Sequence, residues 1–232
     1  MEISHSHSAR PTFLIADDHA LFAETLKVYL EPRFTVLGIV SDGRALVDAA
    51  RKLRPDIVVV DVSMPVLNGL DAAQKIRQEN PNTKFVFLTM RDDPNLAAAA
   101  LELGPVAFVL KHSSGPELVT AIDHVLRGKP YLTPKLRAED WATARARARQ
   151  YQKELTSRQR EIVQLFAEGN SMKEIAAILG LSEKTVEFHK RHIMESHNLK
   201  SNSELILFAV RLGLIAVEAD PPARAAGARG KL

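Results

Sequence analysis

The sequence predicts an α/β domain with a doubly wound, five-stranded parallel sheet, followed by a small all-α domain of four helices. In the first half, short and mostly continuous apolar runs alternate with helix-length segments, as in parallel sheets whose strands are buried on both faces. After Pro134 the apolar runs stop, and residues 155–213 carry helix signals only. At about 150 residues per domain, a chain of 232 residues lies between one and two domains.

Each expected strand is followed by a segment with apolar residues at three- and four-residue spacings, which is typical of an amphipathic helix. The expected strands are Phe13–Ile15, Thr35–Val40, Ile57–Val60, Phe85–Leu88 and Phe108–Leu110. The expected helices are Leu21–Leu30, Ala45–Leu53, Leu70–Gln78, Leu96–Leu103 and Glu117–Leu126. Together they define a first domain at residues 11–130.

A polar segment at residues 131–153 separates the expected domains and is predicted to be a linker. The second domain is expected at residues 154–214, and residues 1–10 and 215–232 are expected to be disordered tails. The net charge of +3 is uneven, because the part of the chain after residue 135 carries the basic excess. That asymmetry favours a polyanion as the partner of the second domain.

The composition restricts the class of protein further. With 46% hydrophobic and 25% charged residues, the chain has the balance of a globular protein. It has no apolar run of the roughly 18 residues that a membrane span needs, and no apolar core of a secretory signal near its start. The lack of cysteine excludes disulfides, thiolate metal sites and cysteine nucleophiles. We therefore expect a soluble, cytoplasmic protein with no membrane partner.

Polar side chains follow four of the five expected strands. Asp17 and Asp18 follow the first strand, Asp61 the third, Thr89 the fourth and Lys111 the fifth. The carboxyl ends of parallel strands meet at one edge of a sheet, where ligands bind. Clustered carboxylates repel one another unless a cation lies among them, and a site of oxygen ligands suits Mg²⁺. A single aspartate after a strand is also a common helix cap, so each residue alone has a structural alternative.

These residues lie in motifs that resemble the receiver domain of bacterial two-component response regulators, which has a flavodoxin-like fold. The motifs are Ala16-Asp17-Asp18-His19, Asp61-Val62-Ser63-Met64-Pro65 with Asn68-Gly69, Leu88-Thr89, and Phe108-Val109-Leu110-Lys111. The resemblance implies that Asp61 accepts a phosphoryl group from a sensor histidine kinase. It also implies a Mg²⁺ ion held by Asp17, Asp18, Asp61 and the backbone carbonyl of Ser63.

The resemblance implies roles for three more residues. Lys111 would pair with the phosphoryl oxygens, and Thr89 would turn its hydroxyl toward the new phosphate. Phe108 would then move inward as the switch aromatic, although plain core packing is the alternative. Pro105 stands in a stretch that family members usually fill with small residues, and it stiffens the approach to Phe108.

Capping signals predict the helices of the second domain. The pairs Thr156-x-x-Gln159, Ser171-x-x-Glu174 and Ser201-x-x-Glu204 have the spacing of capping boxes. Gly180 suits a left-handed helix end and Ser182 can cap the next helix, so the two helices form a helix-turn-helix. The expected core consists of Ile162, Leu165, Phe166, Ile175, Ile178, Leu179, Val186, Ile193 and Leu205.

The segments 155–161, 169–176 and 181–189 resemble the LuxR-type DNA-binding domain, and the whole architecture resembles the NarL/FixJ family of response regulators. The resemblance implies double-stranded promoter half-sites as a partner, contacted by the helix at 182–197. The expected base contacts are Glu187, Phe188 and Arg191, and the expected phosphate contacts are Lys184, Thr185 and Lys190. The last helix, Ser201–Leu212, would carry a homodimer formed on phosphorylation, and RNA polymerase is a further candidate partner.

The expected function is a phosphorylation-dependent transcription regulator that is not an enzyme, since it accepts the phosphoryl group on its own aspartate. Before phosphorylation, the receiver would hide the recognition or the dimer surface. One alternative is an aspartyl-phosphate hydrolase, which typically needs a second carboxylate two residues after its nucleophile, where Ser63 stands. Another is an interaction module whose helix-turn-helix no longer binds DNA.

Overall fold

The computed structural model describes residues 10–137, 146 and 154–215. The predicted tails, apart from Arg10 and Ile215, and most of the predicted linker lie outside these residues. Among the described helices, none has the length and apolar character required to cross a membrane.

The first domain contains a parallel sheet of six strands in the order β2-β1-β3-β4-β5-β6. The strands are β1 (Thr12–Ala16), β2 (Thr35–Val40), β3 (Ile57–Asp61), β4 (Lys84–Thr89), β5 (Ala107–Leu110) and β6 (Tyr131–Leu132). The five predicted strands are confirmed. The sixth was missed because it has only two residues, too few for a periodic pattern, yet Tyr131 pairs with Ala107 of β5. The first domain therefore extends into the predicted linker.

Helices cover both faces of this sheet. They are α1 (Ala20–Leu30), α2 (Gly43–Leu53), α3 (Gly69–Glu79), α4 (Pro94–Leu101), α5 (Gly115–Leu126) and a short α6 (Pro134–Arg137). Alternate strand residues point to opposite faces: Phe13 and Ile15 pack with α1 and α5, whereas Leu14 and Ala16 pack with α2, α3 and α4. The doubly wound arrangement leaves the carboxyl ends of the strands together at one edge.

The turn from β3 into α3 is tight. The Asn68 side chain caps α3 by accepting a hydrogen bond from the Asp71 amide, and the Gly69 amide donates to the Val62 carbonyl. A Cβ at Gly69 would lie 2.1 Å from the Asp61 carbonyl oxygen. Only glycine lets the start of α3 approach Asp61 so closely.

The second domain is built from four helices, as predicted. They are α7 (Ser157–Ala167), α8 (Met172–Leu179), α9 (Glu183–Ser196) and α10 (Asn202–Arg211). The predicted core residues are buried or, for Phe166 and Ile178, partly buried against the core. Gly180 adopts the expected left-handed conformation with φ 64°, and the Ser182 side chain caps α9.

Two of the three predicted capping boxes are complete, at Thr156 and at Ser171. The third is half-formed. Ser201 caps α10, but the Glu204 carboxylate accepts from the Lys200 amide at 2.8 Å. The predicted start of α10 is therefore confirmed, but Glu204 binds the amide of Lys200 instead of the amide of Ser201.

The close approach at Gly69 provides a test of the fold. We expect Gly69→Ala to lower the free energy of unfolding by about 1–3 kcal/mol, because the new methyl group overlaps backbone. Gly38→Ala in β2 is the matched control, since a Cβ there would meet only Leu14 Cδ1, at 4.0 Å. Urea unfolding measures both variants. Equal stability of the two would contradict the turn described here.

Candidate functional site

A buried lysine joins two buried aspartates at the carboxyl edge of the sheet. Asp17 follows β1, Asp61 ends β3 and Lys111 follows β5. The Lys111 Nζ lies 2.8 Å from Asp17 Oδ2 and 2.8 Å from Asp61 Oδ2, and all three side chains are at most 5% exposed. The strand order thus brings Lys111 to Asp61, which is 50 positions away in the chain.

The charge of Lys111 follows from this arrangement. Burial alone would lower the pKa of Lys111, but attraction by Asp61 and hydrogen bonds to both carboxylates raise it above its ordinary value. Lys111 is therefore cationic at neutral pH and offsets the repulsion between the two aspartates.

The other side of the cluster is open to solvent. Exposed Asp18 lies next to His19, whose Nδ1 is 3.0 Å from Asp18 Oδ1 and 3.2 Å from Asp17 Oδ1. One potential metal-ligand atom each from Asp17, Asp18, His19 and Asp61 lies within 4.8 Å of the others. Three carboxylates with an open side fit a hard divalent cation that keeps several waters. His19 was missed as a member of this cluster, and its only signal was its place beside the paired aspartates.

Ser63 lies beside Asp61, and Thr89 ends the neighbouring strand β4. The Ser63 amide donates to Asp61 Oδ1 at 3.2 Å. Thr89 is buried at the end of β4, and its Oγ1 accepts a hydrogen bond from the Arg91 amide at 3.1 Å.

The predicted switch aromatic, Phe108, lies in the core. Its ring is already fully buried, with its centroid 6.4 Å from that of Phe87. In this structure Phe108 is part of the core between the sheet and α4, and its movement on phosphorylation stays a prediction.

The outer face of α9 presents most of the predicted DNA contacts. Lys184, Glu187, Phe188 and Arg191 are exposed, and Phe188 is 55% exposed. The Phe188 ring lies parallel to the His192 ring, with an interplanar angle of 3° and centroids 6.3 Å apart. These side chains form one surface along the helix.

The two other predicted phosphate contacts, Thr185 and Lys190, are partly buried. The Lys190 Nζ lies 4.1 Å from the centroid of the Phe166 ring, and partial burial lowers the pKa of Lys190. The Thr185 hydroxyl lies 2.8 Å from the Ser182 hydroxyl in the cap of α9. Both side chains lie at the margin of the outer face rather than on it.

Helix α7 attaches the second domain to the first through charged pairs that sequence reasoning missed. Arg160 pairs with Asp71 of α3 at 2.7 Å. Buried Glu161 accepts from Arg44 of α2 at 3.0 Å and from Lys75 of α3 at 2.9 Å. The partners are 86 or more residues apart, so no local pattern could reveal them.

This contact leaves the expected functional surfaces of the second domain uncovered. The outer face of α9 is exposed, and in α10 Ile206 and Leu207 are 39% and 67% exposed. In this structure the first domain therefore does not cover the outer face of α9, which is the predicted recognition surface. The first domain contacts α7 through complementary charges, and Leu96 of α4 also lies against Gly213, just after α10.

Two family models match this chain in the order of its domains. "Response regulator receiver domain" matches residues 13–123, and "Bacterial regulatory proteins, luxR family" matches residues 153–209. The oxygen regulatory protein NreC of Staphylococcus carnosus (strain TM300) is 34% identical over 212 residues, covering 87% of this chain and 98% of that protein. The transcriptional regulatory protein DegU of Brevibacillus brevis is 28% identical, covering 88% of this chain and 94% of that protein.

Solved structures show the same architecture. The RcsB response regulator of Salmonella typhimurium is 25% identical with a TM-score of 0.60, covering 88% of this chain and 98% of that chain. A structure of two RcsB dimers bound to two parallel DNAs has 27% identity and a TM-score of 0.51, covering 87% of this chain and 99% of that chain. With both domains matched in order along most of its length, the chain belongs to the NarL/FixJ family of two-component response regulators, with a receiver domain followed by a LuxR-type DNA-binding domain.

Proposed function

We propose that this protein is a cytoplasmic transcription regulator that accepts a phosphoryl group on Asp61 from a sensor histidine kinase and binds promoter DNA. The observation that supports the phosphoacceptor role best is the buried Asp61 carboxylate beside Lys111, with Asp17 and Asp18 within ligand distance. The protein is not an enzyme in this proposal, because it modifies its own side chain.

The proposed transfer is a displacement at phosphorus. An Asp61 carboxylate oxygen attacks the phosphorus of a phosphohistidine, so that an O–P bond forms, the P–N bond breaks and the imidazole leaves. Lys111 holds Asp61 in place before transfer and pairs with the phosphoryl oxygens afterwards. Mg²⁺, held by Asp17, Asp18, Asp61 and the Ser63 carbonyl, would neutralise charge on the group being transferred.

The proposed DNA interface is the outer face of α9. Glu187, Phe188 and Arg191 are free to contact base edges, and Lys184 lies near the start of the helix, where phosphates are bound. RcsB of Salmonella enterica serovar Typhimurium, 25% identical with a TM-score of 0.59, has been solved bound to a promoter in the presence of the phosphomimetic BeF3-. By analogy with the DNA-bound RcsB dimers we assign a homodimer on two half-sites to this chain. RNA polymerase stays a further candidate partner that follows from the family resemblance alone.

Asp61→Asn tests the phosphoacceptor. We expect it to abolish Mg²⁺-dependent labelling by acetyl phosphate, because the amide cannot form the acyl phosphate. Labelling is followed by phosphate-affinity electrophoresis of the full chain. The exposed Asp48→Asn is the matched control and should label normally. Undiminished labelling of Asp61→Asn would refute the assignment.

Lys111→Met tests the balance of charge at the sheet edge. Without divalent ions, we expect it to lower the free energy of unfolding by about 3–5 kcal/mol, because two buried carboxylates lose their cation. Added Mg²⁺ should stabilise this variant more than the wild type, since it supplies the missing charge. Urea unfolding with and without Mg²⁺ measures both effects, with exposed Lys52→Met as control. An equal effect of Mg²⁺ on both proteins would argue against a shared cation site.

Arg191→Ala and Lys184→Ala separate base from phosphate contacts. We expect Arg191→Ala to lose about 1–3 kcal/mol of binding free energy for the preferred DNA sequence and to relax the sequence preference. Lys184→Ala should weaken binding to all sequences alike and reduce the salt slope by about one. Binding to random genomic fragments at several salt concentrations measures this, with Lys173→Ala as control. Identical behaviour of the two variants would show that the division of contacts is wrong.

A further inference from the structure

A carboxylate lies among the cations and the aromatic ring on the outer face of α9. Glu187 is exposed there, one residue before Phe188 and four residues before Arg191. Phosphates surround any helix that enters the major groove, so a negative side chain on this face lowers the affinity for every DNA sequence. A base that donates a hydrogen bond to the carboxylate offsets this loss. Glu187 therefore favours DNA that presents such a donor.

The Glu187 carboxylate has no hydrogen-bond or ion-pair partner within the part of the chain that the structure describes. The Glu174 carboxylate, by contrast, completes the cap of α8. The basic neighbour Lys190 lies over the Phe166 ring instead of pairing with Glu187. Arg191 lies one turn further along α9, and among the described residues it forms no ion pair with Glu187. Both oxygens of Glu187 are therefore free to accept hydrogen bonds from a ligand.

The position of Glu187 in the helix suits contact with base edges. It is the fifth residue of α9, and the N-terminal part of a recognition helix contacts the bases in the major groove. Glu183, in the first turn, is the acidic residue that the helix dipole stabilises. That effect fades within the first turn, so it does not account for a carboxylate at Glu187.

The four bases differ in what their major-groove edges offer to a carboxylate. Cytosine presents an amino donor at N4, whereas guanine presents two acceptors and thymine one, all of which repel a carboxylate. Adenine presents its N6 amino group beside the N7 acceptor, a pair that suits an amide better than a carboxylate. Cytosine is therefore the base that the Glu187 side chain fits best.

The neighbours of Glu187 suit the bases around such a cytosine. The Arg191 guanidinium can donate two hydrogen bonds to guanine, at O6 and N7. Four residues of helix rise about 6 Å and base pairs are about 3.4 Å apart, so the two side chains reach bases within about two base pairs of each other. The Phe188 ring, 55% exposed and parallel to the His192 ring, is an apolar surface that suits a thymine methyl group.

We infer that Glu187 is a specificity-determining residue that selects a cytosine in each half-site, by accepting a hydrogen bond from the N4 amino group in the major groove. The guanine that Arg191 contacts lies within about two base pairs of that cytosine. The inference rests on the proposed binding of DNA by the outer face of α9. Because the carboxylate repels the acceptors of guanine and thymine, it excludes wrong sequences as well as attracting the right one.

The test is selection of binding sites from a random double-stranded DNA library by the full chain, treated with acetyl phosphate and Mg²⁺. We expect the wild type to prefer cytosine about 5- to 100-fold at one position of each half-site. In Glu187→Gln that preference should change to adenine, because an amide accepts from N6 and donates to N7. In Glu187→Ala the position should lose its preference while the guanine position keeps its own. An unchanged cytosine preference in either variant would overturn the inference.

Glu195→Gln is the matched control. It removes the same charge from an exposed position two turns nearer the end of α9, and it should keep the wild-type base preference. The same change to adenine in this variant would contradict the inference. Glutamine and alanine are good helix formers, and the exposed Glu187 side chain has no partner to lose among the described residues, so the variants keep the fold.

A second readout is the affinity for DNA of unrelated sequence, which a purely structural role of Glu187 would not raise. We expect Glu187→Ala to bind such DNA about two- to fivefold more tightly than the wild type, because it removes a negative charge that lies close to the phosphates. Fluorescence anisotropy with a labelled duplex measures this affinity. Equal or weaker binding by Glu187→Ala would count against the inference.

Failure of the inference is distinguishable from failure of the proposed function. If the wild-type chain selects no sequence from the library, the proposed DNA-binding function is wrong. If it selects a sequence that stays the same in Glu187→Gln, DNA binding stands and only the reading of cytosine by Glu187 is refuted.

Discussion

The ion pairs of Lys111 with Asp17 and Asp61 are the interaction on which the rest of the receiver site depends. β1 and β3 are adjacent strands, so their carboxylates lie close together and repel. The lysine reaches them from β5, two strands further along the sheet from β3. A buried pair of this kind adds little net stability, because desolvation offsets most of the attraction. Its consequence is a preformed, charged edge that a phosphoryl group can enter.

Much of the fold and of the site could be predicted from local patterns. Buried parallel strands are continuous apolar runs, which predict the five strands. Amphipathic helices have apolar residues three and four positions apart and capping residues at their starts, which predict the helices of the second domain. The residues after the strands converge simply because parallel strands end at one edge, which is why Asp17, Asp61 and Lys111 were found together. Sheet pairing of two residues leaves no such pattern, which explains why β6 was missed.

The contacts between domains could not be predicted, for a different physical reason. Glu161 and Gln164 are polar residues on a helix, a pattern that ordinarily indicates a face exposed to solvent. Here they are buried because their partners, Arg44 and Met64 among them, lie on the other domain. Phe108 shows the same limit. An apolar residue on a strand can be a static core residue or a moving switch, and the sequence pattern does not distinguish the two roles. Such contacts depend on tertiary geometry alone.

The exposed outer face of α9 has a consequence for the search along DNA. Arg191 and Lys184 are exposed while α7 is docked, so with the proposed contacts an unmodified molecule would associate with duplex through its phosphates and slide. Association with DNA would then precede phosphorylation instead of following it. The time to respond would be limited by rearrangement of a molecule already on DNA, and the population near promoters would depend on ionic strength even in unstimulated cells.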